Sequence, residues 1–216
     1  MRRAILLLAV MTVTLVVASG VALAVTRIGG PGPNTLRGTN GADNLLGRGG
    51  NDVLYGLGGS DNLLGEEGKD WVFGGNERRA QGGDKNLVGG PGNDGVLGGE
   101  GTDNVLGGSG NDLADGGSGP DKILGGDGND LVSDGERRGG ATDILTGGDG
   151  NDVIDPFNRP AKRDVATCGG GFDRVLADRA DAVAPDCERV FVGARNFDAF
   201  SESIPDNFFE GLNPRF

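Results

Sequence analysis

Aspartate recurs at a nine-residue spacing through much of the chain, and it is the residue type best placed there to do chemistry. The pattern is most regular at Asp94, Asp103 and Asp112, within GGPGNDGVLGGEGTDNVLGGSGND. If the fold stacks these carboxylates about 5 Å apart, each neighbouring pair repels by roughly 3 kcal/mol, so a cation between them is required. The aspartates in this register are Asp43, Asp52, Asp61, Asp70, Asp94, Asp103, Asp112, Asp121, Asp130, Asp143 and Asp152.

The remaining composition excludes several classes of function. The chain has no histidine, which removes the commonest general base and transition-metal ligand and the H-E-x-x-H metalloprotease motif. A net charge of −12 disfavours nucleic acid as a partner. The stretch GGSGN at 107–111 departs from the G-x-S-x-G nucleophile motif at its last position, and the repeats leave little room for a catalytic domain. The chain is therefore predicted not to be an enzyme.

Each aspartate belongs to a nine-residue unit made of a glycine-rich turn and a short strand. Twelve units run from 38 to 155, with insertions at 76–81 and 135–140. Side chains alternate faces in a strand, so the middle residue of each strand is predicted to face inward. These residues are Leu45, Leu54, Leu63, Val72, Leu87, Val96, Val105, Ala114, Ile123, Val132, Leu145 and Ile154. One unit cannot bury its apolar residue alone, so the units must stack.

The full period is 18 residues, because alternate units differ. Odd-numbered units place asparagine after the aspartate, at Asn44, Asn62, Asn86 and Asn104, although unit nine has Lys122 there; even-numbered units have no asparagine at this position. Two units therefore make one coil, and the chain is predicted to be an all-β, parallel, two-sheet β-roll. The asparagine row is expected to form a side-chain ladder on one sheet.

The repeat G-G-x-G-x-D-x-U-x, where U is aliphatic, strongly resembles the RTX, or hemolysin-type calcium-binding, nonapeptide. The resemblance covers 38–155 and implies that turn carbonyls join the aspartates as Ca²⁺ ligands, such as those of Gly89, Gly98, Gly107, Gly116, Gly125 and Gly147. Carboxylate and carbonyl oxygens in a pliable loop also favour Ca²⁺ over Mg²⁺ on chemical grounds. Pairing along two aspartate columns predicts about eight Ca²⁺ ions, about three on the odd side and about five on the even side.

The odd column has one irregular position, in unit five. The unit reads GGDKNLV, with Lys85 where the aspartate is expected and Asp84 immediately before it. Either the lysine replaces a calcium ion with its own charge, or Asp84 shifts into the column. A lost or weakened site is the preferred interpretation at this stage.

The rest of the chain divides by composition. Arg2 and Arg3, an apolar run and Ala22-Leu23-Ala24 predict a signal peptide over 1–24, with an uncleaved membrane anchor as the alternative. A lead-in covers 25–37, a linker 156–167, and a cap 168–193 that a Cys168–Cys187 disulfide closes in an oxidising compartment. A phenylalanine-rich tail over 194–216 is expected to dock, bind a partner or stay disordered.

The function predicted from these features is that of a secreted, extracellular or cell-surface calcium-binding repeat protein. Its roll is expected to fold on binding several Ca²⁺ ions and to serve a structural or adhesive role, with an extracellular protein or glycan as partner. A non-catalytic calcium-dependent module of a cytolysin-like or hydrolase-like exoprotein is the alternative. The two insertions carry Arg78, Arg79, Arg137 and Arg138, which either bind an anion or glycan, or shield nearby aspartates, or only solvate their loops. The oligomeric state is left open.

Overall fold

Two parallel β-sheets stack their strands along one axis and face each other across a narrow core. The computed structural model describes residues 23–76, 83–84, 86–135, 140–158 and 161–193. Residues 1–22 of the expected signal peptide, the four loop arginines, Lys85 and the tail 194–216 lie outside the described residues. The described chain has no helix, and so none that is long and apolar enough to cross a membrane.

Successive strands alternate between the two sheets, as the 18-residue period predicts. The odd sheet contains β1 (Thr26–Ile28), β3 (Asn44–Gly49), β5 (Asn62–Glu67), β7 (Asn86–Pro91), β9 (Asn104–Ser109), β11 (Lys122–Asp127), β13 (Ile144–Asp149), β15 (Val165–Gly170) and β17 (Ala182–Val183). The even sheet contains β2 (Thr35–Arg37), β4 (Val53–Leu57), β6 (Trp71–Asn76), β8 (Gly95–Glu100), β10 (Leu113–Ser118), β12 (Leu131–Ser133), β14 (Val153–Asp155), β16 (Arg174–Ala177) and β18 (Arg189–Val192). All pairings are parallel, so the predicted two-sheet β-roll is confirmed.

The core is a narrow, continuous cluster of aliphatic side chains between the two sheets. All twelve residues predicted to face inward are at most 2% exposed and form one continuous cluster. Neighbouring coils place equivalent residues in register, as with Val105 beside Ile123. The register continues across the first insertion, where Leu63 pairs with Leu87. Each coil contributes only two such residues, so the core is long and thin.

The sheets extend beyond the predicted limits of the roll at both ends. The expected lead-in forms β1 and β2, which pair with β3 and β4. The expected linker and cap supply β15 to β18, which pair onto β13 and β14. The parallel sheets thus continue beyond both ends of the predicted repeat region. Parallel pairing uses backbone groups, so it needs neither the glycine-rich turn nor the aliphatic middle residue: β1 has the exposed Arg27 in that position.

The turns depend on glycine at their second position, where the backbone is left-handed. Gly108 and Gly126 have φ of 132° and 129° there. Three consecutive early units place Arg48, Leu57 and Glu66 at the equivalent position, with φ between 70° and 85°. Such backbone is unfavourable for a side chain with a Cβ, so the neighbouring coils must impose it.

Candidate metal centre

Every predicted aspartate lies in one of two buried columns, one at each edge of the roll. All eleven are at most 3% exposed. They come directly before their strands, and the strands stack in register, so side chains one coil apart become neighbours. Asp84, Asp164 and Asp173 extend the two columns and are equally buried.

Hydrogen bonds link the carboxylates into a ladder along each column. The Asp94 N–H donates to Asp112 Oδ1, and the Asp112 N–H donates to Asp130 Oδ1, both at 2.8 Å. The odd column repeats this at 2.8 Å from Asp103 to Asp121. One oxygen of each carboxylate thus satisfies the backbone of the preceding coil, which fixes the side chain's direction.

The second carboxylate oxygen has a different environment. It is buried and has no hydrogen-bond donor among the described residues in Asp52, Asp61, Asp70, Asp94, Asp103, Asp112, Asp130, Asp152 and Asp173. An ionised oxygen removed from water without a partner is strongly unfavourable. The repeated pattern is that of a ligand oxygen directed toward a cation.

The first glycine of each unit leaves space beside that second oxygen. A Cβ built on Gly107 would lie 2.6 Å from both Asp112 Oδ2 and the Gly125 carbonyl oxygen of the next coil. A Cβ on Gly125 would lie 2.5 Å from Asp130 Oδ2 and 2.7 Å from the Gly147 carbonyl oxygen. No side chain fits there, so a carboxylate and a carbonyl from successive coils border one small space.

In the described part of the chain, ten units have a first glycine beside both a carboxylate oxygen and a carbonyl of the next coil. The register of the aspartates alone predicted about eight calcium sites. The six turn carbonyls predicted as ligands all occupy this carbonyl position, each facing the first glycine of the preceding coil. The ten first glycines are Gly38, Gly47, Gly56, Gly65, Gly74, Gly89, Gly98, Gly107, Gly125 and Gly147.

Burial makes these carboxyl groups difficult to ionise without a cation. Desolvation raises their pKa, the N–H donated by the preceding coil lowers it, and the charge of the neighbouring aspartate raises it again. The pKa rises from 3.8 to about 7 in Asp94, Asp112, Asp130 and Asp152. It rises to about 6 in Asp61 and Asp70.

The odd column has no gap in unit five, which corrects the preferred interpretation of a lost site. Asp84 accepts the Asp61 N–H at 2.8 Å, and its own N–H donates to Asp103 Oδ1 at 2.6 Å. The insertion before Asp84 changes the spacing along the sequence, and Asp84 meets the backbone of both neighbouring coils. The alternative in which Asp84 shifts into the column is the one observed.

Sequence reasoning missed the continuation of both columns beyond Asp152. Asp164 accepts the Asp143 N–H and Asp173 accepts the Asp152 N–H, both at 2.8 Å. Both missed aspartates stand one residue before a strand. The second half of the nonapeptide pattern, D-x-U-x, is therefore present at both and could have predicted them from the sequence. The glycine half is incomplete there: 156–163 contains no glycine.

A cluster of three carboxylates interrupts the pattern at the second insertion. Asp134 takes the place of a first glycine, and its ligand atoms lie within 4.8 Å of those of Asp143 and Asp164. Asn158 Nδ2 donates to Asp134 Oδ2 at 3.3 Å and to Asp164 Oδ2 at 2.9 Å. Burial, together with the charges of neighbouring aspartates, raises the pKa of Asp134 to about 8.

Two asparagine ladders support the turns and the sheet face. The predicted ladder on the odd sheet is observed, with Asn86 Nδ2 donating to Asn62 Oδ1 at 3.0 Å and Asn104 Nδ2 to Asn86 Oδ1 at 3.1 Å. A second ladder was not predicted: Asn111 Oδ1 accepts the Asn129 N–H at 2.9 Å, one residue before the aspartate column. It satisfies backbone groups that the tight turn leaves unpaired.

The donor set of these spaces suits a hard cation. The oxygens are carboxylates and backbone carbonyls, the chain has no histidine, and both cysteines are in a disulfide. Flexible all-oxygen sites of this kind favour Ca²⁺. When bound, the ion neutralises adjacent carboxylates, while the protein supplies the turn geometry that orients them.

The fold and the columns define a parallel β-solenoid whose turns present stacked carboxylates and carbonyls. A family model for the RTX calcium-binding nonapeptide repeat matches at 28–63, 47–77, 80–114, 106–133 and 139–155. The matches cover more than half of the chain, so the chain belongs to this family of calcium-binding repeats. No curated protein shows a significant match to it.

Proposed function

We propose that the protein is a secreted, non-catalytic calcium-binding module that folds when Ca²⁺ enters the turns of its β-roll. One observation carries the proposal: in successive turns, a buried carboxylate oxygen with no hydrogen-bond donor in the described part of the chain lies beside a carbonyl of the next coil. Eleven predicted and three additional aspartates share the columns, so the repulsion between them grows with every coil that forms. Calcium reverses that repulsion, and we propose up to ten ions.

Secretion and an extracellular structural or adhesive role complete the proposal. The Cys168–Cys187 disulfide supports an oxidising compartment. The predicted signal peptide supplies the route, and its cleavage after Ala24 is part of the proposal. In a low-calcium cytosol the glycine-rich chain has little to offset its conformational entropy, so folding would follow export.

A calcium titration of the mature chain tests the proposal. We expect far-ultraviolet circular dichroism to show strand structure that appears with Ca²⁺ and disappears with excess EDTA, with Mg²⁺ at the same concentration having little effect. The single tryptophan, Trp71, stacks on Phe73 with ring centroids 5.8 Å apart, so its fluorescence should report the same transition. A strand signal that EDTA leaves unchanged would rule out calcium-dependent folding.

A matched pair of variants localises the effect to the columns. Asp112→Asn removes the charge of a buried column residue, and Asp127→Asn removes that of an exposed residue at the end of β11. We expect Asp112→Asn to destabilise the calcium-bound roll by about 1.5–3 kcal/mol, as is typical for interactions with a charged group. Equal calcium midpoints for the two variants would contradict a role for the columns.

A further inference from the structure

The even column continues past the matched repeats into the two coils that carry the cysteines. The Asp152 N–H donates to Asp173 Oδ1, and the Asp173 N–H donates to Glu188 Oε2, both at 2.8 Å. Asp152 and Asp173 are fully buried, and the Oδ2 atom of each has no hydrogen-bond donor among the described residues. The ladder therefore extends two coils beyond Asp152, the last aspartate of the repeat.

The space beside Asp152 matches those of the glycine coils, with a cysteine supplying the carbonyl. A Cβ on Gly147 would collide with Asp152 Oδ2 and lie 2.7 Å from the Cys168 carbonyl oxygen. In the coil before, the equivalent carbonyl belongs to Gly147 and lies 2.7 Å from a Cβ on Gly125. Cys168 thus occupies a first-glycine position, and its carbonyl is placed like the others.

Cys168, unlike the first glycines, has a side chain, and the series of open spaces beside the aspartates ends at this residue. In register with Gly147, it carries a Cβ where the glycine coils leave space beside their own aspartate. That side chain is buried and bonded to Cys187, with 5.2 Å between the two Cα atoms. Cys187 immediately precedes Glu188, the last carboxylate of the ladder.

We infer that Asp152, Asp173 and the Cys168 carbonyl form a terminal Ca²⁺ site, and that the Cys168–Cys187 disulfide takes the place of the next ion. The inference rests on the proposed calcium-dependent folding and assigns it residues outside the repeat. Because the disulfide and the ion both hold Cys168, their effects are coupled. Linked sites typically change each other's affinity by roughly 5- to 150-fold, and the change is reciprocal.

Hydrogen exchange followed by mass spectrometry tests the site locally. In the wild-type chain, Ca²⁺ is expected to slow backbone exchange in 165–192 as well as in 86–133. Asp173→Asn is expected to abolish the calcium effect in 165–192 and retain it in 86–133. Asp149→Asn removes an exposed carboxylate near the same site and is expected to behave as wild type. Calcium-dependent protection of 165–192 that persists in Asp173→Asn overturns the inference.

A second variant covers the case in which Asp173→Asn disrupts the terminal coil itself. Gly147→Ala keeps every carboxylate and fills the space between Asp152 Oδ2 and the Cys168 carbonyl; Gly147 does not have a positive φ. We expect it to lose one calcium ion, counted by native mass spectrometry, and the calcium-dependent protection of 165–192. An unchanged ion count overturns the terminal site.

The double variant Cys168→Ser/Cys187→Ser tests the coupling. It keeps the ligand oxygens and releases the constraint on residue 168, so the calcium concentration that half-protects 165–192 should rise roughly 5- to 150-fold. The midpoint for 86–133 should not move. Equal midpoints at 165–192 overturn the coupling. A wild-type chain that calcium protects nowhere refutes the proposed function, whereas protection confined to 86–133 refutes only the terminal site.

Discussion

At the scale of single residues, aspartate supplies the oxygen atoms of each turn, and glycine supplies the space and the backbone conformation. Aspartate provides two oxygens with separate roles, one for the neighbouring backbone and one facing the next coil's carbonyl. The first glycine is needed for its missing side chain, since residues such as Gly107 do not have a positive φ. The repeated double glycine therefore reflects two different requirements, space at the first position and a left-handed backbone at the second.

Filling one of these spaces should remove one ion without backbone strain. In Gly107→Ala the new Cβ would lie 2.6 Å from Asp112 Oδ2 and from the Gly125 carbonyl. At free calcium a hundredfold above the dissociation constant, losing a site costs about 2.7 kcal/mol of stability. Calorimetric titration and thermal unfolding measure both effects. Gly30→Ala is the control, because a Cβ there has no neighbour within 4 Å, and an equal loss in both variants would disprove the steric explanation.

The raised pKa values set the pH dependence of the calcium-free chain. Asp94, Asp112 and Asp130 have a pKa of about 7 in the folded state, against 3.8 as the ordinary value. A raised folded-state pKa contributes stability that is complete below about pH 4 and is lost as pH rises through 7.

Calcium-free protein should accordingly be more structured at pH 4 than at pH 7.5, and circular dichroism in EDTA measures this. Calcium binding needs the ionised carboxylates, so its midpoint should shift to higher Ca²⁺ concentration as pH falls below 7. Calcium-free chain that is better folded at pH 7.5 would contradict the burial of protonated carboxyl groups.

At the scale of elements, each column behaves as a continuous unit that tolerates insertions. Asp84 keeps the odd column intact across the first insertion, through hydrogen bonds to the coils on both sides. The inward residues remain in register there, with Leu63 beside Leu87 and Leu87 beside Val105. Backbone pairing thus keeps the coils on both sides of the insertion in register.

Asp84→Asn should weaken calcium-dependent folding as much as Asp103→Asn, its neighbour in the column. Both carboxylates are at most 3% exposed and both accept an N–H from the preceding coil. Removing either charge therefore affects one of the two contacts that the coil of Asp84 makes with its neighbours. We expect equal shifts of the calcium midpoint in tryptophan fluorescence. A midpoint unchanged in Asp84→Asn alone would mean that unit five contributes no ligand.

At the scale of the whole molecule, the roll is thin and its stability is distributed along its length. Each coil buries two aliphatic residues and contacts mainly the coils beside it, as in other solenoids. In the proposed function, calcium ions bound between coils add an interaction wherever a carboxylate and a carbonyl of successive coils face each other. Removing the ions should therefore affect the whole array and not a single region.

Small-angle X-ray scattering should detect this change in dimensions. A compact chain of 216 residues has a radius of gyration of roughly 17 Å, and an unfolded one roughly 50 Å. An elongated roll lies above the first value and well below the second. We expect EDTA to move the measured radius toward the unfolded value and added Ca²⁺ to restore it. Equal radii in the two conditions would refute collapse of the array.

The repeat pattern was sufficient to predict the coil, the inward residues and the two columns, because each follows from a local period. Strand alternation places Leu45 or Val105 inward wherever the unit occurs. The space between Asp112 Oδ2 and the Gly125 carbonyl was not predictable in detail, since the two oxygens come from different coils and their directions depend on hydrogen bonds between coils.

Sequence alone determined the period, and therefore the two-sheet roll, its aliphatic file and the register of its carboxylates. Only the tertiary structure decided that Asp84 belongs to the column, that β1 and β2 begin the sheets, and that Asp164 and Asp173 continue the ladder. The reason is that a parallel sheet is joined through backbone groups, which any residue provides. Where the repeat becomes irregular, the neighbouring coil selects which carboxylate meets its N–H.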